Sequence, residues 1–186
     1  SMRNNTQRIY ERLSRGEFLS VDSSDTSIRH LYVDIEENFE DYADYFKEIG
    51  LLLEAGNGYY YFSRIGESKQ AIEQKLESFS KWLDYLDFVK CYNQSFTAGY
   101  QFRKSHLIEQ ISLDIELKEK ASHLFKKYGV GSNLDIVNKL LSEMTSLGFA
   151  ECISEQDETY KVTSAFHYAE ELVNMIQIAN EDEIPE

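Results

Sequence analysis

The sequence predicts a mainly α-helical protein with small β-hairpins, an α+β fold made of two tandem winged-helix domains. Three observations support this prediction. The single proline is Pro185, so no proline interrupts a helix before the tail. Apolar residues recur at helical spacing along most of the chain. The order helix, glycine, strand, turn, strand occurs twice, once around Gly50 and once around Gly148.

The first domain is predicted over residues 2–65. It begins with a helix at 6–15, a short extended piece at 18–21, a turn and a helix that starts near Ile28. Asp34 and Glu37 resemble a capping box at the start of the next helix. The apolar stripe of that helix, which Gly50 ends, is Ile35, Phe39, Tyr42, Phe46 and Ile49. Residues 51–55 and 59–62 then predict two strands joined by a tight turn.

The second domain is predicted over residues 66–186. It opens with a long helix whose apolar face is wide enough to be buried on two sides. The residues of that face are Ile72, Leu76, Phe79, Trp82, Leu83, Tyr85, Leu86 and Val89. Further helices are predicted at 103–112, 117–128, 133–147 and 165–179, with a hairpin at 149–162 between the last two. Ser132 and Asp135 are typical of a helix start, and Gly148 of a helix end.

The charge balance limits the classes of partner. The 186 residues include 33 acidic and 19 basic side chains, for a net charge of −14, which opposes phosphate backbones and anionic lipid. Residues 65–132 are the most basic part, with 10 basic and 9 acidic side chains, so contact with nucleic acid would have to involve them. The chain has no leader pattern and no apolar run long enough to cross a bilayer, so we expect a cytoplasmic protein.

The sequence has no motif typical of catalysis or of metal binding. His30, His106, His123 and His167 are isolated, and none has a second histidine one helical turn away. The sequence contains no phosphate-binding glycine motif and no nucleophile elbow. Carboxylate pairs such as Asp114 and Glu116 are typical of solvated helix faces. We therefore predict no catalytic residues, no metal site and no cofactor.

The aromatic run in the first hairpin is the candidate site for a protein partner. It consists of Tyr59, Tyr60, Tyr61 and Phe62. Side chains alternate along a strand, so one pair should face the core and the other should face solvent or a partner. Tyrosine is enriched at interfaces, but packing within the hairpin explains the run equally well.

In a winged-helix regulator, the helix before each hairpin would lie in the major groove of DNA. In the first copy its positions off the apolar stripe carry one positive charge, Lys47, and the carboxylates Glu36, Glu37, Glu40, Asp41, Asp44 and Glu48. In the second copy the charged side chains are Lys139, Asp135 and Glu143, so the net charge of this helix is close to neutral. Neither helix is typical of a DNA reader. Direct DNA contact would instead use basic residues of the middle region, Arg103, Lys104, Lys118, Lys120, Lys126 and Lys127, although solvated faces of two helices explain these residues better.

In pattern and order, the chain resembles the MukE/MksE-type subunits of bacterial condensins. The first copy of the pattern consists of residues 16–19, 31–33, 42–50 and the aromatic strand 58–62, and the second of Leu140–Leu141, 147–149, the strand 160–163 and Phe166. The acidic tail 182–186 also resembles the acidic tails of these subunits. The helix segment 141–146 departs from a DNA-contacting member, because it has no arginine.

This resemblance implies a tandem winged-helix adaptor without catalytic residues. Such a protein would be a homodimer that binds the kleisin subunit of a complex with an SMC-like ATPase, associates with the nucleoid and supports chromosome segregation. Its contact with DNA would be weak or would run through the complex. The sequence is also compatible with two alternatives: a winged-helix DNA-binding transcription regulator, and the equivalent subunit of a plasmid-defence condensin.

Overall fold

The computed structural model describes residues 3–126 and 131–182, and all structural statements refer to these ranges. We call residues 2–65 the first unit and residues 66–186 the second unit. The elements of the first unit are α1 (Thr6–Leu13), β1 (Leu19–Ser20), α2 (Thr26–Glu37), α3 (Phe39–Glu48), β2 (Leu51–Gly56) and β3 (Tyr59–Arg64). Those of the second unit are α4 (Lys69–Tyr92), β4 (Gln101–Arg103), α5 (Lys104–Leu113), α6 (Ile115–His123), α7 (Asn133–Leu147), β5 (Ala150–Ser154), β6 (Thr159–Val162) and α8 (Phe166–Asp182).

The two units share one sheet topology. Each has a three-stranded antiparallel sheet in which a short early strand pairs with the second strand of a hairpin, in the orders β1-β3-β2 and β4-β6-β5. Leu53 pairs with Phe62 in the first hairpin, and Ala150 with Val162 in the second. The predicted fold class, mainly α with small β-hairpins, is confirmed. The second unit places three helices between its early strand and its hairpin, where the first unit has two.

Two apolar cores lie side by side. The first is formed by α1, α2, α3 and their sheet, with Ile9, Ile35, Tyr42 and Phe46 fully buried. The second core is larger and includes the C-terminal half of α4, α5, α7 and the start of α8. It also takes in Phe18 and Tyr59, which belong to the first unit in sequence. The first unit therefore contributes side chains to the core of the second.

The start of α3 differs from the prediction. Residue Asn38, with φ −129° and ψ 34°, ends α2 and precedes α3, so Ile35 lies on α2 and the predicted capping box of Asp34 and Glu37 is wrong. The Asp34 carboxylate instead accepts hydrogen bonds from the Tyr42 hydroxyl and, at 2.8 Å, from Asn5 Nδ2. Asp34 therefore joins α2, α3 and the segment before α1.

The apolar face of α4 is buried along only half of its length. Buried side chains begin at Trp82, and Ile72 and Leu76 remain 49% and 58% exposed. The ion pairs that join α4 to α6 and α8, at Asp87 and Lys90, also lie in the C-terminal half. The prediction of burial on two sides is therefore wrong for the N-terminal half, because the packing partners lie beside the other half.

The middle of the chain differs from the prediction in two places. The helix predicted at 117–128 ends at His123, and Phe125 adopts φ 57°, a left-handed conformation that stops a helix. The last part of that prediction, with Gly129, lies outside the described residues. Strand β4 was missed, because three residues give no periodic signal and the strand exists only through its pairing with β6.

Candidate protein-interaction site

The aromatic strand β3 has both of its faces covered by this chain. Tyr60 packs against Tyr32 with ring centroids 4.8 Å apart, and Phe62 against Phe46 at the same distance, both inside the first unit. On the other face, the Tyr61 ring lies 4.9 Å from the ring of Phe18 in the first unit. It also lies 5.0 Å from the ring of Tyr168, which belongs to the second unit. The alternation is as predicted, and the second unit occupies the face that was expected to meet solvent or a partner.

The environment of these tyrosines keeps their hydroxyl groups protonated. Burial is the main cause, and it raises the pKa of Tyr60 and of Tyr61 to about 12. Burial and the nearby Glu171 carboxylate raise the pKa of Tyr59 further. Tyr59 and Tyr60 are buried, and Tyr61 and Phe62 are half-buried, so a partner would reach only the last two without rearrangement. That a partner binds this strand stays a prediction.

A polar joint that the sequence did not predict connects the two units. Asp22 Oδ1 accepts from the backbone N–H of Ser164 at 2.9 Å, and the Asp22 carbonyl accepts from the Lys161 ammonium. The Glu151 carboxylate accepts from the Ser23 hydroxyl and from the Ser24 backbone N–H, the latter at 2.8 Å. Residues 22–27 were interpreted only as a turn, because Asp and Ser are typical turn residues whether or not they bind another segment.

The acidic face of the first unit is present as predicted. Its carboxylates are all exposed and lie on α2 and α3, at Glu36, Glu37, Glu40, Asp41, Asp44 and Glu48. In α3, Lys47 is the single basic side chain. The exposed face of α3 therefore presents negative potential, which is unfavourable for contact with phosphates.

In the equivalent helix of the second unit, α7, Asp135 is exposed, whereas Lys139 and Glu143 contact neighbouring elements. Lys139 Nζ lies 4.9 Å from the centroid of the Phe125 ring, and Glu143 forms an ion pair of 3.5 Å with Lys81 of α4. These residues line a cavity of about 670 Å³ between α4, α7 and the end of α6. The cavity has a mixed lining of cationic, anionic and apolar groups, so its charge favours no one class of ligand.

The predicted DNA-contact residues are spread over several elements. Lys104 forms a 3.1 Å ion pair with Glu158, and Lys120 a 2.7 Å ion pair with Asp87, a hydrogen bond that raises the pKa of Lys120. The others that the structure describes are exposed, namely Arg103 at the end of β4, Lys118 on α6 and Lys126 after it. Lys127 lies outside the described residues. Two of these cations are thus held by carboxylates of the same chain, which weakens the positive potential of this surface.

In the carboxylate pair of Asp114 and Glu116, Asp114 has a structural role. Asp114 is the N-cap of α6, where its carboxylate accepts from the Leu117 backbone N–H at 3.0 Å.

Within the described ranges, no three His, Cys, Asp or Glu side chains come close enough together to hold a metal ion. In the same ranges, no helix has the length and apolar character needed to cross a membrane.

Comparison with known proteins identifies the family. Curated proteins give no significant match. A family model described as condensin complex protein MksE matches residues 4–173, which extend from the segment before α1 into α8 and include both sheets. The resemblance noted in the sequence is thereby confirmed, and the chain belongs to the MksE family of condensin complex proteins.

Proposed function

We propose that this chain is a non-catalytic adaptor subunit of a bacterial SMC-like condensin of the MukBEF/MksBEF type. In this role it binds the kleisin subunit and supports chromosome organisation and segregation, in the cytoplasm and in association with the nucleoid. The observation that carries the proposal is the family match, which covers both units from residue 4 to residue 173.

The geometry of the two units supports an adaptor. The polar joint at Asp22 and Glu151 and the aromatic contacts of Phe18 connect the two units. A partner that contacts both units would meet a surface that is already ordered, and pre-organisation reduces the entropy cost of binding. The repeated order of helix, strand, helices and hairpin supports two winged helices, each with its own sheet edge.

The described side chains also support a role without chemistry. The tyrosines of β3 are buried or half-buried and have raised pKa values, and Asp114 is engaged as a helix cap. These are structural uses of groups that could otherwise serve as acids or bases. The activity that an adaptor must have is binding.

The test is reconstitution with the kleisin encoded beside this chain. The two proteins are mixed and separated by size-exclusion chromatography with light scattering, which reports both the complex and the oligomeric state of the free chain. We expect a stable complex and a homodimer. Because the chain carries a net charge of −14, the control is an unrelated acidic protein of similar charge mixed with the same kleisin. If no complex forms and the free chain is a monomer, the proposal is wrong.

A DNA-binding regulator is the second candidate, and exposed Arg103, Lys118 and Lys126 are the observation that favours it. It requires tight binding to duplex DNA with a steep dependence on salt. The adaptor proposal expects weak binding, or none, in a fluorescence titration with a short duplex at low ionic strength. Tight binding that is lost on changing these three residues to glutamate would favour the regulator.

The target of the complex is tested in cells. If the condensin acts on the chromosome, deletion of the gene for this chain should produce cells without nucleoids. If the chain is the equivalent subunit of a plasmid-defence condensin, deletion should instead increase the retention of plasmids and leave chromosome segregation unchanged.

A further inference from the structure

The outer surface of the first unit carries a groove between α1 and α3. Its α3 side is formed by residues spaced for one helix face, with Asp41, Tyr45 and Ile49 at intervals of four and Asp44 and Glu48 beside them. Its α1 side includes Tyr10, which is 43% exposed. We call this surface the α1–α3 groove and define it by Arg3, Tyr10, Asp44, Tyr45, Glu48 and Ile49.

The groove has an apolar half and an acidic half that share Tyr45. The apolar half is a depression of about 400 Å³ in which Tyr10, Tyr45 and Ile49 are the large side chains. Ile49 is 51% exposed, so its side chain is accessible to a partner. The acidic half is a depression of about 320 Å³ lined by three carboxylates, by Tyr45 and by Arg3.

The chain's own N-terminal segment shows what the acidic half accepts. The Arg3 guanidinium lies over the Tyr45 ring, with Cζ 4.1 Å from the ring centroid, beside the carboxylates of the same depression. This combines cation–π attraction with charge attraction. The segment is held nearby because the Asn5 backbone N–H donates to the Tyr42 hydroxyl at 3.1 Å. Arg3 itself stays exposed, so another cation can replace it.

We propose that the α1–α3 groove binds a basic, amphipathic segment of a partner protein. An apolar side chain of the segment lies between Tyr10 and Ile49, and a neighbouring arginine or lysine replaces Arg3 over Tyr45, beside Asp44 and Glu48. Apolar anchors on one face of a helix with flanking cations are the chemistry that such a groove recognises. The inference goes beyond the adaptor function, since it names a surface and a ligand class and holds whether or not the partner is the kleisin.

Charge distinguishes this partner from the other candidates. Carboxylates at the groove repel the phosphates of nucleic acid. A second copy of this chain is a poor source of cations, because its most basic region has 10 basic and 9 acidic side chains. Within that region Lys104 and Lys120 already form ion pairs with the same chain. A basic segment of a different protein meets both requirements of the groove.

The test uses the full chain and a labelled synthetic peptide in fluorescence anisotropy. The peptide has leucine at helical spacing with lysine and arginine at the other positions, and the control peptide has glutamate in place of every lysine and arginine. We expect only the basic peptide to bind. Asp44→Lys with Glu48→Lys should weaken its binding by at least about tenfold at low ionic strength.

A matched variant separates the groove from net charge alone. Glu119→Lys with Glu155→Lys changes the total charge by the same amount at two exposed positions outside the groove, and it should alter affinity by less than about twofold. Equal losses in the two variants would overturn the proposal, since the peptide would then respond only to overall charge. Circular dichroism spectra of both variants show whether each is folded.

Two substitutions test the remaining parts of the groove. Arg3→Ala removes the cation that the peptide must replace, so affinity should rise, by a factor of about two to five. Ile49→Ser should lower affinity at high as well as low ionic strength, because salt does not screen an apolar contact. An unchanged or lower affinity in Arg3→Ala, or no effect of Ile49→Ser, would contradict the proposed position of the peptide. None of these results depends on co-purification of the kleisin.

Discussion

Phe18 and Gly148 are in direct backbone contact across the two units. A Cβ atom placed on Gly148 would stand 2.5 Å from the carbonyl oxygen of Phe18. The Phe18 backbone N–H donates to the carbonyl of Leu147 at 2.8 Å, so the main chains are held at this distance. The Phe18 ring then reaches the Phe149 ring, with centroids 5.0 Å apart. Gly148 is thus needed for its size as well as for its φ of +82°.

We predict that Gly148→Ala destabilises the protein more than Gly50→Ala does. Both glycines end a helix at nearly the same φ, +82° and +83°, which costs an alanine about 1–2 kcal/mol. A Cβ on Gly50 meets no atom within 4 Å, whereas one on Gly148 collides with the Phe18 backbone and should cost a further ~1–3 kcal/mol. Urea unfolding followed by circular dichroism measures both. Equal losses would show that the Phe18 contact relaxes freely.

We predict that Ser20→Ala loosens the joint between the units. The buried Ser20 hydroxyl accepts from the Ala165 backbone N–H at 3.0 Å, and the variant leaves that donor without an acceptor. The expected loss in free energy of unfolding is about 1–3 kcal/mol. The exposed Ser80→Ala on α4 is the control and should change stability by less than about 0.5 kcal/mol.

Hydrogen exchange gives a local measurement of the same variant. The Ala165 amide should exchange faster in Ser20→Ala than in the wild type, while amides in the first core, such as that of Phe46, should keep their protection. Unchanged exchange at Ala165 would mean that a different group accepts its hydrogen bond.

We predict that the N-cap of α2, Asp25, stabilises the protein more when its carboxylate is ionised than when it is protonated. Hydrogen bonds from the Ser27 hydroxyl and backbone N–H hold the pKa of Asp25 below its ordinary value of 3.8. A lowered folded-state pKa adds stability that is fully present above the unfolded-state pKa and is lost as pH falls through the folded-state pKa. Asp25→Ala should therefore cost about 1 kcal/mol at neutral pH, and less below about pH 4.

The control for this pH dependence is the N-cap of α4. The Ser68 hydroxyl accepts from the Ala71 backbone N–H at 3.2 Å and does not titrate in this range. Urea unfolding at a series of pH values should give a penalty for Ser68→Ala that stays constant, while the penalty for Asp25→Ala shrinks in acid. Parallel pH curves for the two variants would refute the role assigned to ionised Asp25.

We predict that stability falls in alkali because tyrosines such as Tyr42 must stay protonated. Burial, with the hydrogen bond to Asp34, raises the pKa of Tyr42 to about 12. Its contribution is fully present below the ordinary pKa of 10.0 and is lost as pH rises towards 12. Tyr42→Phe should cost about 1.5–3 kcal/mol at neutral pH through the lost bond to a carboxylate, and should show a shallower loss of stability between these pH values.

Urea unfolding over this alkaline range, with tyrosinate absorbance as a second signal, checks the Tyr42 prediction. Tyr10→Phe is the control, since it removes a hydroxyl from a side chain that is 43% exposed, and it should leave the neutral stability within about 0.5 kcal/mol of the wild type. If the two variants have the same alkaline profile, the assignment to Tyr42 fails.

The sequence alone was sufficient for much of the fold. Gly50 and Gly148 marked two equivalent helix ends, and the hairpins followed each of them. The periodicity of α7 and α8 also predicted helices close to their observed bounds. These features are local, because helix and hairpin patterns repeat within a few residues. Where a boundary depended on a distant partner, as for β4 or the N-terminal half of α4, the local pattern was not enough.

The candidate site was less accessible from sequence. Alternation correctly divided Tyr59, Tyr60, Tyr61 and Phe62 between two faces, yet it could not show that the second unit covers one of them. The α1–α3 groove was also missed, since Tyr10 and Ile49 lie 39 positions apart in the chain. Charge, in contrast, was predictable, because the exposed carboxylates of α3 follow from its helical spacing alone.

Gly50 and Gly148 show the division between the two kinds of information. The sequence by itself determined that both end a helix before a hairpin, since only glycine adopts a left-handed φ at little cost. Only the tertiary structure decided that Gly148 lies against Phe18 while Gly50 faces open space. The physical reason is that packing between the units depends on contacts between residues far apart in the chain, which no local pattern encodes.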